Sequence, residues 1–216
     1  MRLIAFGDSW TAGHGVETDI KYKEDANPIS GKGFYIDLRR QNSWPRWLSD
    51  KFECLYLNRG YSGSGNHDIL NEVKIIMDEN LFDKDTDVII IMFSYPHRYR
   101  TKKPENDPVT IFNELEKMLE GYEHYYFNSF YPTFKDEDFD INTLPPYFIN
   151  PNGCVSDFLR DYEIKNDEGV WEYGSRSIWN DEKGLHEGDY HPNLFGYKLI
   201  ANYIYESIFE LRNKNK

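Results

Sequence analysis

Short apolar runs alternate along the chain with segments whose apolar residues recur every three or four positions. Residues 3–6, 54–57, 88–93 and 125–127 have the pattern of buried strands. Segments with helical spacing begin near Ser43, Asn66 and Asp107, and a last one covers residues 194–211. Strands and helices that alternate in this way predict an α/β fold with a mostly parallel sheet and helices on both of its faces.

Two long polar stretches interrupt this alternation. Residues from about 11 to 42 and from 130 to 188 show neither period, so we expect them to be loop insertions. Within the second stretch, residues 155–162 are expected to form a short helix, and the rest is expected to be irregular. A chain of 216 residues is suited to one domain, so we predict a single domain over residues 1–216.

The net charge of the chain disfavours some classes of binding partner. The chain carries 25 basic and 37 acidic side chains, a formal net charge of −12, which argues against binding nucleic acid or anionic membranes. No apolar run approaches the roughly 20 residues that span a bilayer, and the first apolar stretch is too short for a signal peptide. We therefore expect a cytoplasmic protein, whose acidic surface and 17% aromatic residues suit a neutral, polar ligand.

Two positions suggest nucleophilic chemistry. Ser9 directly follows the first strand, and the carboxyl ends of parallel strands are where such folds bind ligands. A serine nucleophile needs a base to accept its proton, and His191, just before the last helix, is the natural candidate, with Asp189 placed to orient its ring. Taken singly, Ser9 is also an ordinary turn residue, and Asp189 and His191 are also ordinary loop residues.

The glycine-rich segment over residues 60–65 has two interpretations. Glycines allow backbone amides to approach a substrate, and the Asn66 side chain can donate a further hydrogen bond to an oxyanion. The alternative is a plain strand-to-helix loop with Asn66 as the helix cap. The glycine spacing does not match a dinucleotide-binding loop, and no P-loop lysine follows.

Three short motifs, spread over nearly the whole chain, resemble those of the SGNH (GDSL-type) hydrolase family. They are Gly7-Asp8-Ser9, Asn58 followed by Gly63, and His191-Pro192-Asn193. The resemblance implies a flavodoxin-like, three-layer α/β/α fold and an esterase or acylhydrolase activity without a cofactor. It also implies that Ser9 is the nucleophile and an oxyanion donor, Gly63 a second donor, and His191 the base.

The sequence departs from the family pattern in its third motif. The family has Gly-x-Asn-Asp where this chain has Ser94-Tyr95-Pro96-His97, so the asparagine that completes the oxyanion hole is missing. We take Asn66 as its substitute, Arg98 as a contact for an anionic group, and Trp10 and Tyr95 as further substrate contacts. Sequences with Ser-x-Pro-x-Arg at this position resemble a divergent branch that is associated with phage genomes.

The motif that ends in His191 departs as well. Where the family has an aspartate three residues before its histidine, this chain has Gly188. Either Asp189 or a backbone carbonyl would then orient the His191 ring.

These observations predict a serine hydrolase that removes a small acyl group, such as an O-acetyl group of a carbohydrate, without a metal ion. This mechanism requires Ser9 and His191 to lie within hydrogen-bonding reach, with the hydroxyl open to solvent. Two alternatives are a non-catalytic binding module on the same fold and a metallophosphoesterase, which the segment Gly65-Asn66-His67-Asp68 resembles. The sequence lacks the further metal ligands that a metallophosphoesterase needs. It does not indicate an oligomeric state.

Overall fold

The computed structural model describes five long parts of the chain and four short ones. The long parts are residues 1–13, 40–94, 108–129, 140–160 and 194–214; the short ones are residues 164–165, 171–172, 175–180 and 185–192. Of the first predicted insertion, residues 14–39 lie outside the described residues.

The described part of the chain contains eight strands and six helices. The strands are β1 (Arg2–Gly7), β2 (Leu55–Gly60), β3 (Asp87–Phe93), β4 (Glu123–Asn128), β5 (Ile164–Lys165), β6 (Trp171–Glu172), β7 (Ser175–Asn180) and β8 (Leu185–Pro192). The helices are α1 (Ser9–Ala12), α2 (Trp44–Lys51), α3 (Asn66–Asp78), α4 (Pro108–Met118), α5 (Val155–Arg160) and α6 (Leu194–Lys214), with a 3₁₀ turn at Ile141–Thr143.

The main sheet has the strand order β2-β1-β3-β4, and all neighbouring strands are parallel. This order matches the first four strands of a flavodoxin-like sheet, in which the chain reverses its winding direction between β1 and β3. The predicted parallel sheet is therefore confirmed. The reversal places the ends of β1 and β3 side by side, where folds of this type bind their ligands.

The central strands of this sheet, β1 and β3, are buried on both faces. Alternate residues of β1 and β3 belong to two separate hydrophobic clusters, as the twofold period of a strand requires. Helices α2, α5 and α6 cover one face, and α3 and α4 cover the other. The predicted three-layer α/β/α architecture is confirmed, and the uninterrupted apolar run of β3 is explained by this double coverage.

The second predicted insertion is more regular than expected. A short helix forms at Val155–Arg160 as predicted, but strands β5 to β8 build a second sheet with antiparallel pairs in sequence order. The expectation of irregular loops was wrong because these strands are rich in polar residues, β5 and β6 have only two residues each, and β8 contains Gly188 and Pro192, which both disfavour strands.

Two smaller predictions also need correction. Strand β2 extends beyond its predicted end at residue 57 to Gly60, because residues 58–60 pair with the last three residues of β1. Asn66 is the first residue of helix α3 rather than its cap. The cap is Gly65, whose N–H donates to the Asp68 carboxylate at 2.8 Å. No helix in the described ranges combines the length and the apolar composition needed to cross a bilayer.

Candidate active site

The turn that carries Ser9 is fixed by its own residues. Asp8 caps the short helix α1, and its Oδ1 accepts a hydrogen bond from the backbone N–H of Trp10 at 2.9 Å. Gly7 packs so closely against the Thr11 side chain that a β-carbon there would overlap it. The sequence Gly-Asp-Ser therefore sets a tight strand-to-helix turn, with Ser9 as the first helical residue.

A chain of buried hydrogen bonds joins this turn to the two neighbouring loops. The Ser94 hydroxyl, just beyond the end of β3, donates to Asp8 Oδ2 at 2.8 Å. The backbone N–H of Ser94 donates to Asn66 Oδ1 at 2.7 Å. Asp8, Asn66 and Ser94 are all completely buried, so these contacts are protected from competing water. They align the ends of β1 and β3 with the start of α3.

Two of the buried polar groups that have no hydrogen-bond partner in the described part of the chain lie at this junction and bear on the chemistry. They are the Oγ atom of Ser9 and the Nδ2 atom of Asn66, both shielded from solvent and without a partner among the described residues. Buried polar groups in native proteins are nearly always paired, so an unpaired donor and an unpaired hydroxyl at one strand edge indicate a place for a ligand. Because Ser94 holds Asn66 Oδ1, the Nδ2 donor of Asn66 is fixed in direction.

Asn58, part of the second motif, has a structural role. Its Nδ2 donates to the carbonyl of Thr11 at 2.7 Å and to the hydroxyl of Ser43 at 2.8 Å, and its Oδ1 accepts from the N–H of Gly60 at 2.9 Å. The side chain thus ties β2 to α1 and to the start of α2. With its amide fully engaged, Asn58 supports the turn that carries Ser9.

His191 lies in strand β8 and not in a loop as predicted. Strands β7 and β8 are out of register at this point. Arg176 pairs with Asp189 and Ser175 with Pro192, so residues 190 and 191 form a bulge opposite them. Bulges re-aim side chains and are frequent beside active sites. Strand β8 contacts helix α1, so the fold brings the segments that contain Ser9 and His191 together from opposite ends of the chain.

The contact between the two segments is not yet a catalytic pair. Ser9 Oγ makes no hydrogen bond with His191 or with any other described residue. Hydrogen bonds of this kind are often long in proteins without substrate and shorten in the complex. Ser9 is also only 1% exposed, so the expectation of a hydroxyl open to solvent was wrong. A substrate must therefore displace part of what covers Ser9.

The remaining predicted site residues differ in their placement. Gly63 lies in an exposed turn with φ of +87°, a conformation that favours glycine. Trp10 is only 3% exposed and belongs to the hydrophobic core, which leaves little of it for a substrate to contact. Tyr95 and Arg98 lie outside the described residues, and Asp189 is placed in β8 through its backbone only.

Sequence reasoning missed three residues at this end of the sheet. Ser94 was noted only as part of an altered motif, although it holds both Asp8 and Asn66. Arg40 donates from Nη2 to the carbonyl of Gly60 at 3.1 Å, beside the Ser9 turn. His67, which follows Asn66, has a shielded Nδ1 with no partner in the described part of the chain. Ser94 and His67 are polar residues within or beside motif positions, whereas no sequence signal distinguished Arg40.

The geometry does not favour a metal site. Among the described residues, no group of three histidine, cysteine, aspartate or glutamate side chains is arranged to hold a metal ion. The side chains on which the metallophosphoesterase alternative depends are engaged elsewhere. Asp8 accepts from Trp10 and Ser94, Asn66 accepts from Ser94, and Asp68 accepts from Gly65.

Comparison with known proteins finds similarity in structure but not in sequence. No protein-family model matches the chain, and no curated protein matches it significantly. The psychrotrophic esterase EstA from a Pseudoalteromonas species matches with a TM-score of 0.54 at 12% identity, over 98% of both chains.

Two further solved structures match less closely. A member of the lipolytic protein G-D-S-L family from Veillonella parvula matches with a TM-score of 0.46 at 18% identity, over 95% of this chain and 97% of its own. LAE5, an alpha/beta hydrolase from the metagenome of Lake Arreo, matches with a TM-score of 0.49 at 14% identity, over 95% of this chain and 94% of its own. The strand order, the three layers and the match to EstA together show that the chain has an SGNH-hydrolase-like fold.

Proposed function

We propose that this protein is a serine hydrolase that cleaves a small acyl ester. One observation carries the proposal: a buried hydroxyl, Ser9 Oγ, and a buried oriented donor, Asn66 Nδ2, are both unpaired at the junction of β1, β3 and α3. A fold shared with an esterase is consistent with this activity but does not assign it, because one fold supports many functions. The argument therefore rests on the residues.

The proposed reaction begins with attack on the ester carbonyl. Ser9 Oγ forms a bond to the carbonyl carbon while His191 accepts the hydroxyl proton, which gives a tetrahedral oxyanion. The backbone N–H groups of Ser9 and Gly63 and the side-chain Nδ2 of Asn66 donate hydrogen bonds to that oxyanion. In this role Asn66 replaces the asparagine that is missing from the third motif.

The reaction is completed in two further steps. His191 returns its proton to the leaving alcohol as the C–O bond breaks, which leaves an acyl group on Ser9. A water molecule then attacks the acyl carbon while His191 accepts its proton. His191 returns that proton to Ser9 Oγ as the bond between Oγ and the acyl carbon breaks, and the acid is released. Asp189, two residues before His191 on β8, would orient the imidazole and stabilise its charged form.

The acyl group is proposed to be small, with an acetyl group on a carbohydrate as our specific expectation. The support is the confinement of Ser9, since Asp8, Asn66 and Ser94 around it are completely buried. A short acyl chain can enter such a site with less displacement of the surrounding residues than a long one.

Labelling with a fluorophosphonate probe tests the nucleophile. We expect one covalent adduct at Ser9, identified by peptide mass spectrometry, and hydrolysis of p-nitrophenyl acetate that falls to background in Ser9→Ala. Activity should also fall at acid pH, because protonated His191 cannot accept the proton of Ser9. Ser43→Ala serves as a matched control, since this serine is buried but bonded to Asn58. A folded protein with no adduct at Ser9 would contradict the proposal.

A second candidate function is a non-catalytic binding module. It is favoured by the 1% exposure of Ser9 and by the missing hydrogen bond to His191. The same experiment separates the two functions, because a binding module would bind an acylated sugar without forming an adduct or releasing the acid.

A further inference from the structure

We infer that Arg40 forms an anion-binding subsite beside Ser9, so that the preferred substrate is an ester with a carboxylate, such as an O-acylated acidic sugar. This inference rests on the proposed function and names its substrate class. It departs from the neutral ligand expected from the overall charge, because the local arrangement at this residue is basic.

Arg40 differs from the other arginines whose side chains the structure describes. Four of them form ion pairs with carboxylates, whereas Arg40 has no carboxylate partner among the described residues. The pairs are Arg2 with Asp87, Arg46 with Asp50, Arg59 with Glu72, and Arg212 with Glu123. In a protein with a net charge of −12, acidic side chains are abundant, so an uncompensated guanidinium is unusual.

The Arg40 side chain is half-buried and held in place. Its Nη2 donates to the carbonyl of Gly60 at 3.1 Å, and its guanidinium carbon lies 4.9 Å from the centre of the Tyr61 ring. Its Nε is shielded from solvent and has no hydrogen-bond partner in the described part of the chain. Burial of a cation without a counter-ion is unfavourable, and an arriving anion would relieve that cost with charge-assisted hydrogen bonds.

The position of Arg40 connects it to the proposed reaction centre. Gly60, which Arg40 contacts, pairs with Gly7 immediately before the Ser9 turn. A β-carbon on Gly60 would lie 2.5 Å from the backbone nitrogen of Ala12, so this strand end packs directly against helix α1. The backbone N–H of Tyr61 donates to the carbonyl of Gly7 at 3.1 Å. The guanidinium is thus anchored one strand away from the nucleophile.

Paired substrates that differ in one charge test this inference. In the first pair, 4-acetoxybenzoate carries a carboxylate on the leaving group and 4-acetoxybenzamide is its neutral counterpart. In the second pair, phenyl hydrogen succinate carries a carboxylate on the acyl group and phenyl butyrate is its neutral counterpart. We expect kcat/KM to favour the charged member of at least one pair. Arg40→Gln should lower the kcat/KM of the charged member about tenfold and that of the neutral member much less, whereas Arg40→Lys should lower the kcat/KM of the charged member less than Arg40→Gln does.

Arg59→Gln is the matched control. Arg59 also approaches the Tyr61 ring, at 6.0 Å, but its charge is already compensated by Glu72, so its loss should not alter the preference. An equal loss for charged and neutral esters in Arg40→Gln, with an unchanged melting temperature, would overturn the inference. So would the absence of a charge preference in both pairs.

A binding measurement separates this inference from the proposed function. In the Ser9→Ala variant, calorimetric titration with the two charged esters requires no catalysis. If one of these esters binds, and its binding weakens about tenfold when Arg40→Gln is combined with Ser9→Ala, the subsite is supported even if the protein hydrolyses no ester. If the protein hydrolyses neutral esters but the charged esters do not bind, or bind equally well without Arg40, the subsite is overturned and the hydrolase proposal remains intact.

Discussion

The backbone N–H of Ser94 donates a hydrogen bond to the side-chain oxygen of Asn66 at 2.7 Å, within the buried interior of the protein. An amide has one acceptor and one donor end, so this contact decides which end of Asn66 faces the Ser9 turn. The Ser94 hydroxyl is held in turn by Asp8, the residue before Ser9. The nucleophile turn and the proposed oxyanion donor therefore share one fixed frame.

Replacement of Asn66 by aspartate tests this frame. Asp keeps an oxygen for the Ser94 N–H but removes the Nδ2 donor, so the oxyanion loses one hydrogen bond. We expect kcat for p-nitrophenyl acetate to fall by about 10²–10³, as is typical for loss of one oxyanion donor. Circular dichroism should show an unchanged fold. Full activity in Asn66→Asp would exclude Asn66 as an oxyanion donor.

Asn58 should behave differently, because its amide is fully used within the protein. Asn58→Ala removes three hydrogen bonds and leaves the N–H of Gly60 buried without this acceptor. We expect the free energy of unfolding to drop by about 1–3 kcal/mol. Urea denaturation measures this drop. A variant as stable as the parent would show that these contacts do not hold β2 to α1.

The sequence was sufficient for the main sheet because the central strands β1 and β3 are strongly apolar and the helices that cover them have clear buried stripes. Ser9 and the third motif could be placed at one edge, since parallel strands end on the same side. The contact between Ser94 and Asp8 could not be predicted, because it joins residues 86 positions apart whose side chains are also common turn formers. The β8 bulge at His191 depends on pairing with β7, and no local pattern encodes it.

Two glycines near the site should respond differently to alanine. A β-carbon at Gly60 would meet the backbone of Thr11 and Ala12, so helix α1 must shift and carry Ser9 with it. We expect Gly60→Ala to lower kcat about 10²-fold, since a displacement of about 1 Å is enough for such a loss.

Gly63→Ala is the matched comparison. Its β-carbon would have nothing within 4 Å, but φ of +87° strains any non-glycine residue. We expect a stability loss of about 1–3 kcal/mol with a change in kcat of about tenfold or less, because alanine retains the N–H donor. Enzyme kinetics measure kcat, and urea denaturation measures the free energy of unfolding, for both variants. A larger loss of kcat in Gly63→Ala than in Gly60→Ala would contradict the packing argument.

Glu116 on helix α4 should make the stability of the protein depend on pH. Its carboxylate accepts hydrogen bonds from the Tyr126 hydroxyl at 2.8 Å, the Tyr147 hydroxyl at 2.6 Å and His124 Nε2 at 3.0 Å. Burial alone would raise the pKa of Glu116, but the hydrogen bonds outweigh it and hold the pKa below its ordinary value.

The direction of the pH effect follows from this lowered pKa. A carboxyl whose pKa is lower in the folded than in the unfolded state stabilises the fold above its unfolded pKa of about 4.3. That stabilisation is lost as the pH falls through the folded value. Glu116→Gln should therefore cost about 1–3 kcal/mol at pH 7 and progressively less below about pH 4. Urea denaturation from pH 7 downwards, with the exposed Glu120→Gln as control, measures the difference. A cost that stays constant with pH would show that ionisation of Glu116 does not contribute.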